Sequence, residues 1–310
     1  MLLFSRSTCL ISILLMQAGF WDRNQIRLAP VFFLTPALLM FSIYVIYPVI
    51  QSIWISFHEW DGVGEMHWVG FQHYLYLMED EKFWVAIRNN ILWLILFILS
   101  PALGLGLALF LNQQIHGIKV IKSLFFFPFV INMVVVGLVF SWFYNPSYGL
   151  LGEILKIFEI KPIAVLSDED LVTYGIIVAG MWPQIAYCMI LYLTGLASIK
   201  PELIEAGRID GAKGWKMLLH VVLPQLRPAT FIAIVISVVN ALRSFDLVAI
   251  MTMGGPWGSS TVLAYEMYEQ SLFNYRMGYG AAIATVLFLI MDVYIAWFLY
   301  RLYVNEKASS

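Results

Sequence analysis

The chain has 310 residues, of which 61% are hydrophobic and 12% charged, against roughly a quarter charged in an average soluble domain. That balance excludes an ordinary soluble globular protein and points to an integral membrane protein. The net charge of −2 says little by itself, because the charges segregate along the chain.

Residues Leu2 to Met16 carry one charge, Arg6. They could pass for a signal-peptide core, yet no small-x-small cleavage site precedes Trp21. Translation is expected to begin at Met16, or the first fifteen residues to lie on the membrane surface; residues 1–27 are read as a cytoplasmic segment. Charge-free windows follow at Val31 to Phe57, Asn89 to Gly117, Ser123 to Gly152, Leu171 to Ile199, Pro228 to Leu242 and Met277 to Met291. A spanning helix needs about 20 mostly apolar residues. The windows therefore predict an all-α polytopic protein with six transmembrane helices, the fifth continued to Ile250 and the sixth to Tyr300. The membrane domain covers 28–303, and 304–310 form a cytoplasmic tail.

Lys and Arg are retained on the cytoplasmic side. With the N-terminus inside, the inner segments hold 12 of them and the outer segments 5, leaving Arg243 in the fifth span. Both termini are thus placed in the cytoplasm. The first outer loop is acidic, with Glu59, Asp61, Glu65 and the run Glu79, Asp80, Glu81. It is either a solvated loop or a docking contact.

Between spans four and five lies "ELIEAGRIDGAKGWKMLLHVVLPQLRP", Glu202 to Pro228, within a cytoplasmic loop of about 200–227. Pro201 suits a first helical turn, and Glu202 and Glu205 suit its dipole, so a short helix is predicted from Pro201 to about Asp210. Asp210 and Gly211 form a turn, Gly211 able to take the left-handed conformation that ends helices. A second helix is predicted from Ala212 to Val222, its apolar face made by Trp215, Leu218, Leu219 and Val222. Two short helices at the inner surface either tile the interface or meet a partner.

Several chemistries are absent. Neither "GIKVIKS" nor "GAKGWKM" has the spacing of a nucleotide-binding loop, and no nucleophile elbow occurs. The histidines, His58, His67, His73, His116 and His220, lack metal-ligand spacing and read as solvated or interfacial. Cys9 and Cys188 both fall in apolar sequence and imply no disulfide framework.

The series Glu205-Ala206-Gly207, Gly211, Val221, Leu223, Pro224 resembles the signature loop of permease subunits of binding-protein-dependent ABC importers, with Gly207 and Val221 standing where alanine and isoleucine are usual. "FDLVAIMTMGGPWGSSTVLAYEMYEQSLFNYRMGYGAA", Phe245 to Ala282, is similar to the sugar permeases of the maltose and glycerol-phosphate type, as are "YPVIQSIWISF" and "WVGFQHY". The resemblance runs from about residue 28 to residue 300. It implies a coupling helix that seats in a cytoplasmic ATPase subunit, with Glu205 meeting a basic group, Gly211 setting the angle between helices, and Ala206, Gly207, Asp210, Ala212, Leu223 and Pro224 completing the coupling set. It implies no cofactor in this chain, ATP and Mg being bound by a dimer of ATPase subunits. It also implies a second related permease subunit, with a homodimer as the alternative, an extracytoplasmic solute-binding protein, surrounding lipid, no nucleic acid, and a bacterial inner-membrane location.

Polar residues within spans mark the pathway. Arg243 and Asp246, three apart, meet on one helical face with Asn240 beside Arg243; they form either a local ion pair near the outer interface or a substrate contact. Trp182 and Gln184, flanking Pro183, either pack or offer a sugar an aromatic face and an amide. Asp292 is placed to snorkel towards the inner interface or to pair with a neighbouring subunit. The function read from these features is a sugar permease subunit of an ATP-driven importer. The alternative is an ion-driven secondary transporter using Asp246 and Asp292.

Overall fold

The computed structural model describes residues 30–113 and 116–309. The expected start at Met16, the segment 1–27 and Cys9 lie outside the described residues. The chain divides into two units, one ending at Trp54 and one beginning at Ile55. In the first, a single helix, α1, runs Pro30–Ile55, strongly apolar and with none of its spanning window buried; it includes a π-helical stretch at Ser42–Ile46.

The second unit opens with a two-stranded antiparallel ribbon, β1 (His58–Glu59) and β2 (His67–Trp68). The acidic segment thus carries a short ribbon, with Glu59, Asp61 and Glu65 exposed. Asp61 closes the ribbon's turn, its carboxylate accepting from the backbone N–H of Val63 at 2.9 Å and of Gly64 at 2.7 Å. Those bonds, Gly64's foremost, hold its pKa below the usual carboxylate value. His58 corrects the expectation of solvated histidines: it is buried, its ring 5.0 Å from that of Trp68. After α2 (Gln72–Glu79), Asp80 caps α3 (Glu81–Phe97) by accepting from Lys82 N, and also accepts from the Tyr279 hydroxyl.

With α4 (Ser100–Leu111), α3 makes a segment long and apolar enough to span a membrane over Glu81–Leu111, starting earlier than the charge-free window because its first turns are helical despite their charged residues. The third apolar window is two helices, α5 (Ile118–Val130) and α6 (Met133–Phe143), bent by 100°. Extended backbone at Ile131 and Asn132 makes the bend, and the Asn132 side chain caps α6 by accepting from Val134 N at 2.8 Å. Next come α7 (Leu150–Ile157) and the long α8 (Val172–Ala197).

The segment between the fourth and fifth apolar windows folds as α9 (Pro201–Ile209) and α10 (Trp215–Gln225), the latter bent by 72° from α11 (Arg227–Leu242). The fifth span is not continuous to Ile250: α11 ends at Leu242, and a separate helix, α12, occupies Asp246–Met251. The chain closes with α13 (Leu263–Tyr268), a π-helical turn Glu269–Phe273, and α14 (Met277–Ser309). Among the described residues, four helices are long and apolar enough to cross a membrane, six if each bent pair counts as one span.

Three buried clusters hold the second unit together. The crossing of α4 over α8 depends on Gly104. A Cβ there would stand 2.5 Å from Cys188 Cβ and 2.8 Å from Met189 N, whereas one at Gly106 would meet nothing within 4 Å. Close backbone approach at a small residue is how membrane helices gain contact without a hydrophobic drive between them. Gly104→Ala is thus expected to destabilise the purified protein by about 1–3 kcal/mol through overpacking, while Gly106→Ala leaves stability level or slightly raised. Thermal unfolding in detergent reads both; equal midpoints would contradict the crossing.

Candidate functional site

The fifth span breaks where the sequence reads Arg243-Ser244-Phe245. Arg243 ends α11 with φ −94° and ψ 14°, Phe245 precedes α12, and Asp246 is α12's first residue. A helix break leaves backbone donors and acceptors unpaired. Two adjacent buried amides on α3 answer this. Asn90 Oδ1 accepts from Leu263 N at 2.9 Å, and its Nδ2 makes a long contact of 3.5 Å to Leu242 O at the end of α11. Asn89 Nδ2 donates to Ser259 O at 2.6 Å and Thr261 O at 2.8 Å, and Thr173 Oγ1 on α8 also reaches Ser259 O at 3.2 Å. The Gly-Gly-Pro turn folds back on the same strands of chain. Gly254, at φ +77°, has no room for a Cβ beside Thr261 Oγ1, and Ser260 Oγ donates to Gly255 O at 2.6 Å.

Two cavities flank the break. One, of about 260 Å³, has Trp93, Gln184, Asn240, Arg243, Ser244 and Asp246 in its wall. The other, of about 500 Å³, shares Arg243, Phe245 and Asp246 and adds Tyr268. Four of the five polar residues singled out along the pathway therefore come together. Gln184, buried on α8, accepts from Asn240 Nδ2 at 2.9 Å and donates to Ser237 Oγ at 2.9 Å. The fifth, Trp182, is not in either wall; it is exposed, its ring 5.7 Å from Phe140. Helical spacing explains the split, since Trp182 and Gln184 are two residues apart and point to different faces. Arg243 and Asp246 require a second correction. The break takes them off a common helical face, both are exposed, and among the described residues no ion pair joins them; the pair that forms is Lys156 with Glu153.

At the inner segment, α9 ends as expected but in more detail. Gly211, at φ +81°, lets its own N–H reach Arg208 O at 3.1 Å and the N–H of Ala212 reach Gly207 O at 2.9 Å, the paired bonds of a Schellman cap. Gly207 is buried where a Cβ would lie 3.0 Å from Val221 Cγ2 and 3.2 Å from Met217 Cε, so the glycine in place of alanine sets the approach of α10. Helix α10 begins at Trp215 rather than Ala212, because Gly214 turns the chain at φ +53°. Met217 and Val221 pack towards Gly207, while Leu218 and Val222, expected on the apolar face, are half-buried, Val222 against the cluster that holds Leu226. Trp215 and Leu219, expected on the apolar face, are exposed, as are Glu205, Ala206, Asp210 and Gly211, with Leu223 and Pro224 half-buried.

Sequence reasoning missed Asn89, Asn90, Ser237 and a buried carboxyl, Glu266. Glu266 is fully buried; Gln270 Nε2 donates to its Oε1 at 2.7 Å, while Glu266 Oε2 and Gln270 Oε1 have no partner among the described residues. Burial first, then the neighbouring Glu269 and Asp80 charges, raises its pKa against the lowering pull of Gln270 and Lys82. The i, i+4 spacing of a carboxyl and an amide in an apolar stretch was the available signal.

A family described as binding-protein-dependent transport system inner membrane component matches residues 101–304. A probable ABC transporter permease protein of Pyrococcus horikoshii is 36% identical over 89% of this chain and 96% of its own length. The trehalose/maltose transport system permease protein MalF of Thermococcus litoralis is 30% identical over 83% of this chain and 87% of its own. Among solved structures, a chain of a bacterial alginate ABC transporter in complex with an alginate pentasaccharide-bound periplasmic protein superposes with a TM-score of 0.78, at 22% identity, over 90% of this chain and 95% of that one; at that identity the likeness is one of fold.

Glu266 gives this region a pH dependence. A folded-state pKa above the ordinary 4.5 means the folded protein holds the proton more tightly, so the stability it contributes is complete below 4.5 and is lost as pH rises towards the raised value. The thermal midpoint of the detergent-purified protein is expected to fall across that window, and Glu266→Gln to flatten the fall. An unchanged slope in the variant would contradict a buried, proton-holding Glu266.

Proposed function

The chain belongs to the family of binding-protein-dependent transport system inner membrane components, and on that premise we propose that it is the permease subunit of an ATP-driven importer, forming half of the translocation pathway for a sugar or sugar derivative delivered by an extracytoplasmic binding protein. The observation that carries this reading is the family match over 101–304, which runs from α4 into α14 and takes in both the α9–α10 pair and the broken fifth span. The substrate class is supported by the names of relatives, one a trehalose/maltose permease, and by the neighbouring structure's complex with a sugar-loaded periplasmic protein. Polar amides beside aromatic walls, as at Gln184, Asn240, Trp93 and Phe97, suit hydroxyl-rich ligands.

In this reading the α9–α10 pair is the coupling element, with exposed Glu205, Trp215 and Leu219 facing a cytoplasmic ATPase dimer that binds ATP and Mg, and both termini on the cytoplasmic side of a bacterial inner membrane. The rigid Schellman cap at Gly211 and the close contact at Gly207 let the pair move as one body. Leu226, fully buried at the hinge into α11, passes that motion to the span that carries the break. A second, related permease subunit supplies the other half. The ion-driven alternative is not favoured, because Asp292 stands exposed on α14 and in neither cavity wall with Asp246.

Reconstituted with its ATPase and binding protein in proteoliposomes, the transporter is expected to need internal ATP for uptake and to keep uptake when a protonophore collapses the proton gradient. Glu205→Lys, placing like charges together at the contact, is expected to lower uptake at least about tenfold with the subunit still inserted. Uptake without ATP, or full uptake and full ATPase stimulation in the variant, would contradict the assignment.

A further inference from the structure

The break at Arg243–Phe245 has an electrostatic consequence. Had α11 continued, Arg243 and Asp246 would stand at i, i+3 and neutralise one another. Instead each charge sits beside the helix end that tolerates it, Arg243 at the C-terminus of α11 and Asp246 at the first residue of α12. The Arg243 guanidinium makes no hydrogen bond, ion pair or ring contact among the described residues. It is common to the walls of both cavities. Two more unpaired groups stand in the wall of the smaller cavity: the indole N–H of Trp93, 2% exposed, and the Ser244 hydroxyl, 9% exposed, neither with a partner among the described residues. Trp93 Nε1 only donates, and the guanidinium offers five donors and no acceptor. Gln184 has spent its acceptor on Asn240 and a donor on Ser237. Asp246 is the one acidic side chain in the wall, and it too makes no ion pair or side-chain hydrogen bond among the described residues.

We propose that the pathway takes an anionic sugar, one bearing a carboxylate or a like oxyanion, which Arg243 holds by its forked N–H groups while Asp246 accepts from the sugar's hydroxyls. This rests on the sugar-import reading above and adds the charge of the substrate to it. Arg243 is exposed to both cavities rather than buried against protein, so its forked guanidinium is open to a ligand, and a bidentate oxyanion is the one that its geometry fits best. The two cavities, of about 260 and 500 Å³, open on either side of the same guanidinium, so an elongated sugar acid can stay in contact with it as it passes from one to the other.

D-glucuronate and D-glucose differ at C6 alone, carboxylate against hydroxymethyl, and serve as probes. Their binding to the purified full-length chain in complex with its partner subunits is measured by saturation-transfer NMR and calorimetry at low salt. Glucuronate is expected to bind at least about tenfold more tightly than glucose, a preference abolished in Arg243→Gln, kept in part in Arg243→Lys, and increased in Asp246→Asn, which removes the competing negative charge. Equal binding of the two sugars, a preference that survives Arg243→Gln in an assembled complex, or a preference that falls in Asp246→Asn overturns the proposal while leaving the sugar-import reading intact. Binding of neither sugar, together with no ATP-dependent uptake, overturns that reading and the proposal with it.

Discussion

Backbone polar groups at membrane depth have no water to turn to, so a spanning segment is helical or its irregular stretch is paired by protein and lines a cavity. The fifth span takes the second course. Its break releases backbone groups near Leu242, and the adjacent amides of Asn89 and Asn90 stand against the break and the returning chain together, reaching Leu242, Ser259, Thr261 and Leu263. Because one pair of side chains on α3 serves both stretches, the position of the break, the fold of the Gly-Gly-Pro turn and the start of α13 are a single structural fact. Arg243, at the end of α11, and Asp246, at the start of α12, stand in the walls of both cavities.

The same economy appears at the helix crossings. Gly104, Gly195 and Gly207 each stand where an added Cβ would crowd a neighbouring element, and between them they fix α4 on α8, α8 on the hinge at Leu226, and α9 on α10. Packing continuity therefore runs from the inner helix pair through Leu226 into α11 and ends at Arg243. On the proposed reading that continuity is the route by which events at a cytoplasmic partner reach the substrate cavity. Coupling carried by a contiguous, rigid element with two arrangements is the physical form that such a route requires.

Much of this was legible in the sequence, and the rest fails for identifiable reasons. Helices α9 and α8, the left-handed turn at Gly211 and the apolar spans follow from composition, period and the capping preferences of proline and glycine, which are local properties. The break at Arg243 was not visible, because Arg-Ser-Phe carries no proline or glycine to mark it; the amide that meets the end of α11 there, Asn90, lies on α3, some 150 residues earlier in the chain. For the same reason the Arg243–Asp246 pair was placed on one face, whereas Trp182 was grouped with Gln184 although two residues of helix set them on different faces. Trp215 and Leu219 look like a buried stripe by spacing, yet the packed stripe is the one that Gly207 admits, Met217 and Val221, a choice made by tertiary contact. The Glu266–Gln270 pair is marked in the sequence by its i, i+4 spacing, but its burial is a tertiary property.

The central claim is that the broken fifth span lines an aqueous passage rather than a packed protein interior or a lipid face. Single cysteines at Asn240, in the wall of the smaller cavity, and at Val293, exposed on α14, in a chain with both native cysteines replaced, separate these cases when the assembled transporter is treated with a membrane-impermeant thiol reagent during ATP turnover. The account predicts that Asn240→Cys is modified and that the substrate protects it, while Val293→Cys stays unmodified. An Asn240→Cys as inert as Val293→Cys throughout turnover would contradict it.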